Sequence, residues 1–169
     1  MNQKAIFEID GIPLFMDMVL VEQVYPVLFT CVSPNREMYV AVCFLSDGEK
    51  KEWLIAKTTP DDMWDLLQNG ITMRSLFENS ALFLAEKREK NEFPSVKRVN
   101  ISDIPEENLP TAGVYMEADE EEFLEEKVVL KERILAKAKA PIAECEVKPP
   151  GFIPGDSGLG IWGGEGVKK

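Results

Sequence analysis

The fold is decided by residues 38–56, which read Met38-Tyr39-Val40-Ala41-Val42-Cys43-Phe44-Leu45, then Ser46-Asp47-Gly48-Glu49-Lys50, then Lys51-Glu52-Trp53-Leu54-Ile55-Ala56. Two apolar runs rich in β-branched and aromatic residues flank a polar segment with Asp-Gly at its centre. This pattern predicts two strands, Met38–Leu45 and Glu52–Ala56, joined by a turn. Because Ser33-Pro34-Asn35-Arg36 is also a turn sequence, we expect a preceding strand at 27–32 to complete an antiparallel meander.

Strand patterns continue on both sides of this meander. On the N-terminal side they cover 5–9, 12–15 and 19–24, with an Asp10-Gly11 turn, and Pro26 marks an edge position or a bulge. On the C-terminal side they cover 82–86 and 95–101 and bracket a polar turn at 87–92. Residues 1–101 are therefore expected to form one β-rich domain.

Two short helices are expected between the strand groups. Thr59 is a candidate N-cap with Pro60 at the first helical position, and Asn69-Gly70 ends that helix. Thr72 is a candidate start for the second helix, which would bury Leu76 and Phe77.

The chain changes character after residue 101. Residues 102–118 form an acidic connector, and residues 119–140 predict a long amphipathic helix that packs on the domain. The apolar stripe of this helix is predicted at Phe123, Leu124, Val128, Leu130, Ile134, Leu135 and Ala138. Residues 141–169 are a Gly/Pro-rich tail. The expected fold class is α+β: an antiparallel β-rich meander with short helices, then a long C-terminal helix and the tail.

The acidity of the chain is concentrated in one window. The net charge is −11, from 30 acidic and 19 basic residues, and the window from Asp103 to Glu126 holds ten acids and no Lys or Arg. Acids at the start of the predicted helix suit its dipole, and basic residues dominate its remainder. One interpretation is a solvated connector, and the other is a contact surface for a basic partner. The residues proposed for that contact are Asp103, Glu106, Glu107, Glu117, Asp119, Glu120, Glu121 and Glu122.

The tail is the second candidate contact element. It holds seven of the eleven glycines, yet Phe152 and Trp162 are too apolar for a plain spacer, and they are proposed to dock on a partner or a second copy. A G-x-G-x-x-G match at 158–163 has only six residues after it, so the helix of a nucleotide-binding unit cannot follow.

Composition excludes several classes of function. The chain contains no histidine, which removes the usual general base, the usual zinc ligand and every Ser-His or Cys-His pair. No cofactor and no metal site are expected, and the negative charge disfavours direct binding of nucleic acid. The three cysteines form no CxxC motif, and the apolar runs are too short for a signal peptide or a membrane span, which favours a cytoplasmic protein.

Asp61, Asp62 and Asp65 raise the alternative of a metal-dependent hydrolase. They lie close together at the start of a predicted helix and could hold a hard cation, but acids there are more often dipole and capping residues.

A resemblance covers about residues 19–79. Its residues are Tyr25-Pro26-Val27-Leu28-Phe29-Thr30-Cys31, Met38-Tyr39-Val40-Ala41, Trp53-Leu54-Ile55-Ala56 and Leu67-x-x-Gly70-Ile71-Thr72-x-Arg74-x-x-Phe77. This part of the chain resembles a family of small bacterial domains of unknown function. The resemblance implies a strand-turn-strand unit followed by a capped helix, and it implies no activity.

The expected function is that of a non-enzymatic interaction module, an accessory, regulatory or inhibitor protein in a bacterial or phage setting. It would bind a protein with a basic surface or self-associate through the tail. A metal-dependent hydrolase and a small-ligand-binding domain, with the β-rich part as its pocket, remain alternatives.

Overall fold

The computed structural model describes residues 3–24 and 26–145, and the tail with Phe152 and Trp162 lies outside the described residues. The chain divides after Leu130 into two units. The first unit contains all the strands that the structure describes. None of the helices in the described ranges combines the length and apolar composition that a membrane crossing requires.

Seven antiparallel strands form one sheet in chain order. They are β1 (Phe7–Ile9), β2 (Ile12–Glu22), β3 (Pro26–Val32), β4 (Met38–Ser46), β5 (Lys50–Thr58), β6 (Leu82–Arg88) and β7 (Ser95–Val99). The end strands β1 and β7 contact each other, so the sheet curls into a near-barrel. The helices are α1 (Pro60–Leu67), α2 (Met73–Glu78) and α3 (Leu124–Cys145), with single 3₁₀ turns at Ile101–Asp103 and Glu106–Asn108. The predicted α+β class and antiparallel meander are confirmed.

Strands β4 and β5 are buried on both faces, which explains their continuous apolar runs. On one face Val40 and Leu54 pack with α1, α2 and the first turns of α3, where Leu130 is fully buried. On the other face Ala41 and Ile55 belong to a second cluster. That cluster is enclosed by the curled sheet and includes Phe7, Leu14, Phe29, Tyr39 and Phe83.

Both predicted N-caps are present. The Thr59 hydroxyl accepts a hydrogen bond from the Asp62 backbone N–H at 3.1 Å, and the Thr72 hydroxyl accepts one from Ser75 at 3.0 Å. Each bond satisfies a backbone donor that the first helical turn leaves without a partner. The residue after the C-cap of α1, Asn69, has a left-handed φ of 63°, a conformation that Asn tolerates better than most residues.

Strand β2 is one long strand where two short ones were predicted. The interruption is Asp17, whose carboxylate accepts a hydrogen bond from Thr30 Oγ1 at 2.9 Å. The same Thr30 oxygen accepts the Met18 backbone N–H at 3.1 Å. Register shifts accompany this contact, so the strand bulges around the polar residue and continues instead of ending.

The long helix begins at Leu124, five residues later than the predicted start at 119, and extends to Cys145. A turn precedes it, in which the Glu122 carboxylate accepts the Asp119 backbone N–H at 2.8 Å and Phe123 has a left-handed φ of 60°. Because the helix is longer at its C-terminal end, its last turn carries no basic residue, contrary to the predicted charge order.

The apolar stripe of α3 also differs from the prediction. Phe123 and Leu130 pack on the core together with Val129, whereas Leu124 and Val128 are 56% and 57% exposed. The predicted stripe was too broad, because it included residues on either side of those that contact the core.

We expect Leu54→Ala to lower the free energy of unfolding by about 2–5 kcal/mol, because Leu54 is fully buried on the helix-facing side of the sheet. Urea unfolding followed by circular dichroism measures this. The matched control is Leu124→Ala, the same substitution at an exposed position, with an expected change within about 0.5 kcal/mol. Equal losses in both variants would contradict the double-sided core.

Candidate functional site

The structure ties part of the acidic window to the domain through Arg74 of α2. Its guanidinium donates to both carboxylate oxygens of Glu106 at 2.9 Å and to the Pro110 carbonyl at 3.0 Å. Its Nε donates to Glu78 at 3.0 Å. The hydrogen bonds with Glu106 raise the pKa of Arg74 and lower the pKa of Glu106. Arg74 therefore holds the start of the connector against α2.

Asn69 forms a second clamp at the far end of the connector. Its Nδ2 donates to the Ala118 carbonyl at 2.9 Å, and its Oδ1 accepts the Ala118 backbone N–H at 3.0 Å. This paired contact satisfies both backbone groups of one residue and resembles a rung of a β-ladder. The connector is thus fixed by polar contacts near 106–110 and again at 118.

A groove of about 310 Å³ lies along the connector between the two clamps, and we call it the connector groove. Val114 and Tyr115 are 48% and 46% exposed there, although both are large apolar side chains. Gly113, just before them, has a φ of +77°, which favours glycine. The groove is lined by Val42, Phe44, Met73, Glu107, Asn108, Leu109, Pro110, Thr111, Val114, Tyr115 and Met116.

The eight acids predicted as contact residues do not act alike. Glu106 is paired with Arg74, Asp103 accepts the Asn100 backbone N–H at 3.3 Å, and Glu122 accepts that of Asp119. The other five are exposed: Glu107 lines the connector groove, Glu117 has a left-handed backbone conformation, and Asp119, Glu120 and Glu121 lie at the turn before α3. Within residues 3–24 and 26–145, only Glu106 of the eight has an ion-pair partner.

A second cavity, of about 500 Å³, lies at one end of the near-barrel, and we call it the barrel-end cavity. Aromatic rings form its apolar wall: the Phe7 ring lies 5.2 Å from Trp53 in an edge-on arrangement and 6.2 Å from Phe29, nearly parallel. Its charged lining comes from residues near the N-terminus and from the β4–β5 and β6–β7 turns, namely Lys4, Glu49, Lys50, Lys51, Lys87, Arg88, Glu89 and Glu92.

The residues considered for catalysis are not brought into a reactive cluster. In the described part of the chain, no three carboxylate or thiol side chains converge so that they could hold a metal ion, and this includes Asp61, Asp62 and Asp65. Cys31 and Cys43 are buried free thiols. Burial raises the pKa of both, so neither is poised to form a thiolate.

No protein-family model, curated protein or solved structure matches this chain. The resemblance of residues 19–79 to a bacterial domain family therefore stays a prediction. Function has to be inferred from the two surfaces, the connector groove and the barrel-end cavity.

Several residues of these two surfaces were not predicted from the sequence. Arg74 and Asn69 contact partners 32 to 49 positions away, and nothing local in the sequence signals that contact. Tyr115 lies between Pro110 and the acids, where a lone aromatic in a polar connector could have suggested a binding role. The sequence pattern places Lys51 and Lys87 beside turns, and their juxtaposition depends on strand register.

The Arg74–Glu106 contact predicts a pH dependence. An unperturbed Glu106 carboxyl would have a pKa of 4.5, and the contact lowers it. The contact therefore stabilises the fold fully above that pH and is lost as the pH falls through the lowered pKa. Because the Glu106 side chain is 73% exposed, the main effect is on connector position and the gain in stability is small.

We expect NMR titration of the Glu106 carboxyl carbon to give a midpoint below 4.5 and the variant Arg74→Gln to return it toward that value. The control is Lys57→Gln, which removes the exposed ion pair with Glu37 and leaves Glu106 untouched. A normal Glu106 midpoint in the unaltered protein would show that the connector is not held by Arg74.

Proposed function

We propose that this protein is a non-enzymatic interaction module that binds a basic, amphipathic segment of a partner protein in the connector groove. The observation that supports this most is the pair Val114 and Tyr115, half-exposed between two polar clamps beside acids without ion-pair partners in the described chain. The proposed setting is the cytoplasm, which the buried free thiols of Cys31 and Cys43 favour.

Apolar contact would supply most of the affinity. Tyr115 offers a large amphipathic surface with little conformational freedom to lose, and Val114 and Met116 extend it. Fixing the connector at Pro110 and Ala118 before binding reduces the ordering cost that a loop normally incurs.

Charge would orient the partner segment and speed its association. Glu107 lines the groove, and Glu117, Glu120 and Glu121 follow it along the chain. An acidic field of this kind attracts Lys and Arg side chains and speeds encounter, and salt screens it. The partner segment proposed here is an amphipathic helix, whose apolar face enters the groove while its basic residues meet the acids.

The tail is not part of the proposed surface. The predicted contacts of Phe152 and Trp162, and self-association through them, stay predictions because both residues lie outside the described ranges.

A short amphipathic helical peptide of Lys and Leu tests the proposal, with a peptide in which Glu replaces every Lys as its counterpart. We expect the basic peptide to bind the full chain with a dissociation constant that rises with salt. Replacing Val114 and Tyr115 together by Ala should weaken binding by about tenfold or more, which corresponds to about 1.4 kcal/mol. Fluorescence anisotropy of the labelled peptide measures both effects.

Val128→Ala is the matched control, since Val128 is somewhat more exposed than Val114 but lies on α3 and outside the groove lining. It should leave the dissociation constant unchanged. Equal binding of the acidic peptide, or full binding by the Val114/Tyr115 double variant, would overturn the proposed function.

A further inference from the structure

The barrel-end cavity has a mainly apolar lining that is rich in aromatic rings. Four of its eighteen lining residues are aromatic, against 9% of the whole chain, so rings are concentrated there. Its volume of about 500 Å³ falls within the range of small-molecule sites. The large apolar side chains of the lining are Ile6, Phe7, Met16, Phe29, Trp53 and Phe93.

The charged residues of the lining favour neither sign of ligand. Lys50 Nζ lies 3.5 Å from Glu52 Oε2, and Arg88 Nη2 lies 2.9 Å from Glu86 Oε2, so these two cations already have acidic partners. The formal charges of the other charged lining residues cancel: Lys4, Lys51 and Lys87 against Glu49, Glu89 and Glu92. An ionic ligand would lose hydration beside the apolar wall, and no net charge in the lining would offset that loss. This balance favours a neutral occupant.

Two of the four rings offer accessible surface. Phe7 and Phe29 are only 1% and 3% exposed, so their rings are already covered. Trp53 is partly buried, and Phe93 is 37% exposed. Within the described chain Phe93 belongs to neither of the two apolar clusters of the core. Trp53 and Phe93 are therefore the rings that a bound molecule can contact.

The position of Trp53 is fixed before any ligand binds. The register of the sheet places small residues directly opposite it on both neighbouring strands, Cys43 on β4 and Ala85 on β6. Its large neighbour is Phe7, whose ring centroid lies 5.2 Å away in an edge-on arrangement. Phe7 in turn stacks on Phe29 at 6.2 Å. A ring held in this way has little conformational freedom to lose, which lowers the cost of binding.

We infer that the barrel-end cavity binds a neutral, planar aromatic molecule, which lies against Trp53 and Phe93. Contact between aromatic rings adds to the affinity that burial of apolar surface supplies, so an aromatic molecule is favoured over a saturated one of the same size. The ligand binds only the folded chain and therefore stabilises it. The cavity shares no lining residue with the connector groove, so this proposal and the proposed function stand or fall separately.

2-Naphthol at neutral pH, where its hydroxyl is uncharged, is the probe, and it is used with the full chain. Isothermal titration calorimetry and thermal unfolding are the measurements. Decahydro-2-naphthol keeps the size and the hydroxyl but has no aromatic ring. 2-Naphthoate and 2-naphthylmethylammonium keep the rings and add a negative or a positive charge. We expect the tightest binding and the largest rise in unfolding temperature with 2-naphthol.

The variant Phe93→Ala tests where the probe binds. It removes a partly exposed ring, so it should leave the circular dichroism spectrum unchanged and weaken 2-naphthol binding by about threefold or more. The matched control is Tyr115→Ala, which removes a ring with 46% exposure from the connector groove. It should leave 2-naphthol binding unchanged.

A pair of substitutions at Trp53 separates the aromatic ring from apolar volume. Trp53→Leu keeps an apolar side chain and should weaken 2-naphthol binding by about threefold or more, whereas Trp53→Phe keeps a ring and should retain more of the affinity. If the leucine variant fails to fold, Phe93→Ala still tests the site.

Three results would overturn the inference. The first is the absence of 2-naphthol binding to the full chain. The second is binding of decahydro-2-naphthol or of either charged naphthalene as tight as that of 2-naphthol, which would mean that the cavity does not select a neutral aromatic molecule. The third is unchanged 2-naphthol binding by Phe93→Ala, which would place the probe elsewhere.

Discussion

Burial of both faces of the β4–β5 hairpin is the constraint on which the rest of the structure depends. A flat sheet could cover one face with helices, but it would leave the other apolar face in water. Burying a large apolar side chain stabilises a fold by about 1.5–3 kcal/mol, so exposing Tyr39, Ile55 and Phe83 together would be costly. Curling the sheet until β1 meets β7 encloses that face, and α1, α2 and the start of α3 cover the other.

The same constraint explains where the two candidate surfaces lie. A curled sheet has open ends, and the apolar faces of β1, β3 and β5 reach one of them as the barrel-end cavity. The helices leave part of the outer face uncovered near Val42 and Phe44, and the connector lies beside this uncovered part. Arg74 and Asn69 hold the connector through polar groups, so its apolar residues at 114 and 115 are left partly exposed.

Local patterns predicted the local structure well. The turn at Asp47-Gly48, the caps Thr59 and Thr72, and the antiparallel order of β3, β4 and β5 all follow from residues close in sequence. The start of α3 was predicted at 119 because acids suit a helix N-terminus. The Glu122 contact with Asp119 and the left-handed Phe123 make a separate turn there instead.

The candidate site was predicted less well, and for a physical reason. The acidic window is obvious from composition. Its contribution to partner binding depends on which of its acids are already held by contacts within the chain, and long-range contacts decide this. Glu106 and Glu107 are adjacent in sequence and alike in charge, but Arg74 holds the first while the second lines the connector groove. Likewise, no pattern in a single strand shows that Lys51 is paired with Lys87.

Strands β5 and β6 offer an internal comparison between the two faces of one strand pair. On one face the order of charges along each strand, Lys50 before Glu52 and Glu86 before Arg88, lets neighbours neutralise one another. On the other face the same two strands place Lys51 and Lys87 opposite each other with apolar residues next along each strand. Backbone geometry and register are shared, so only the choice of side chains differs. Register therefore sets which side chains meet across the two strands, whereas the residue types at those positions set whether neighbouring charges on a strand neutralise each other.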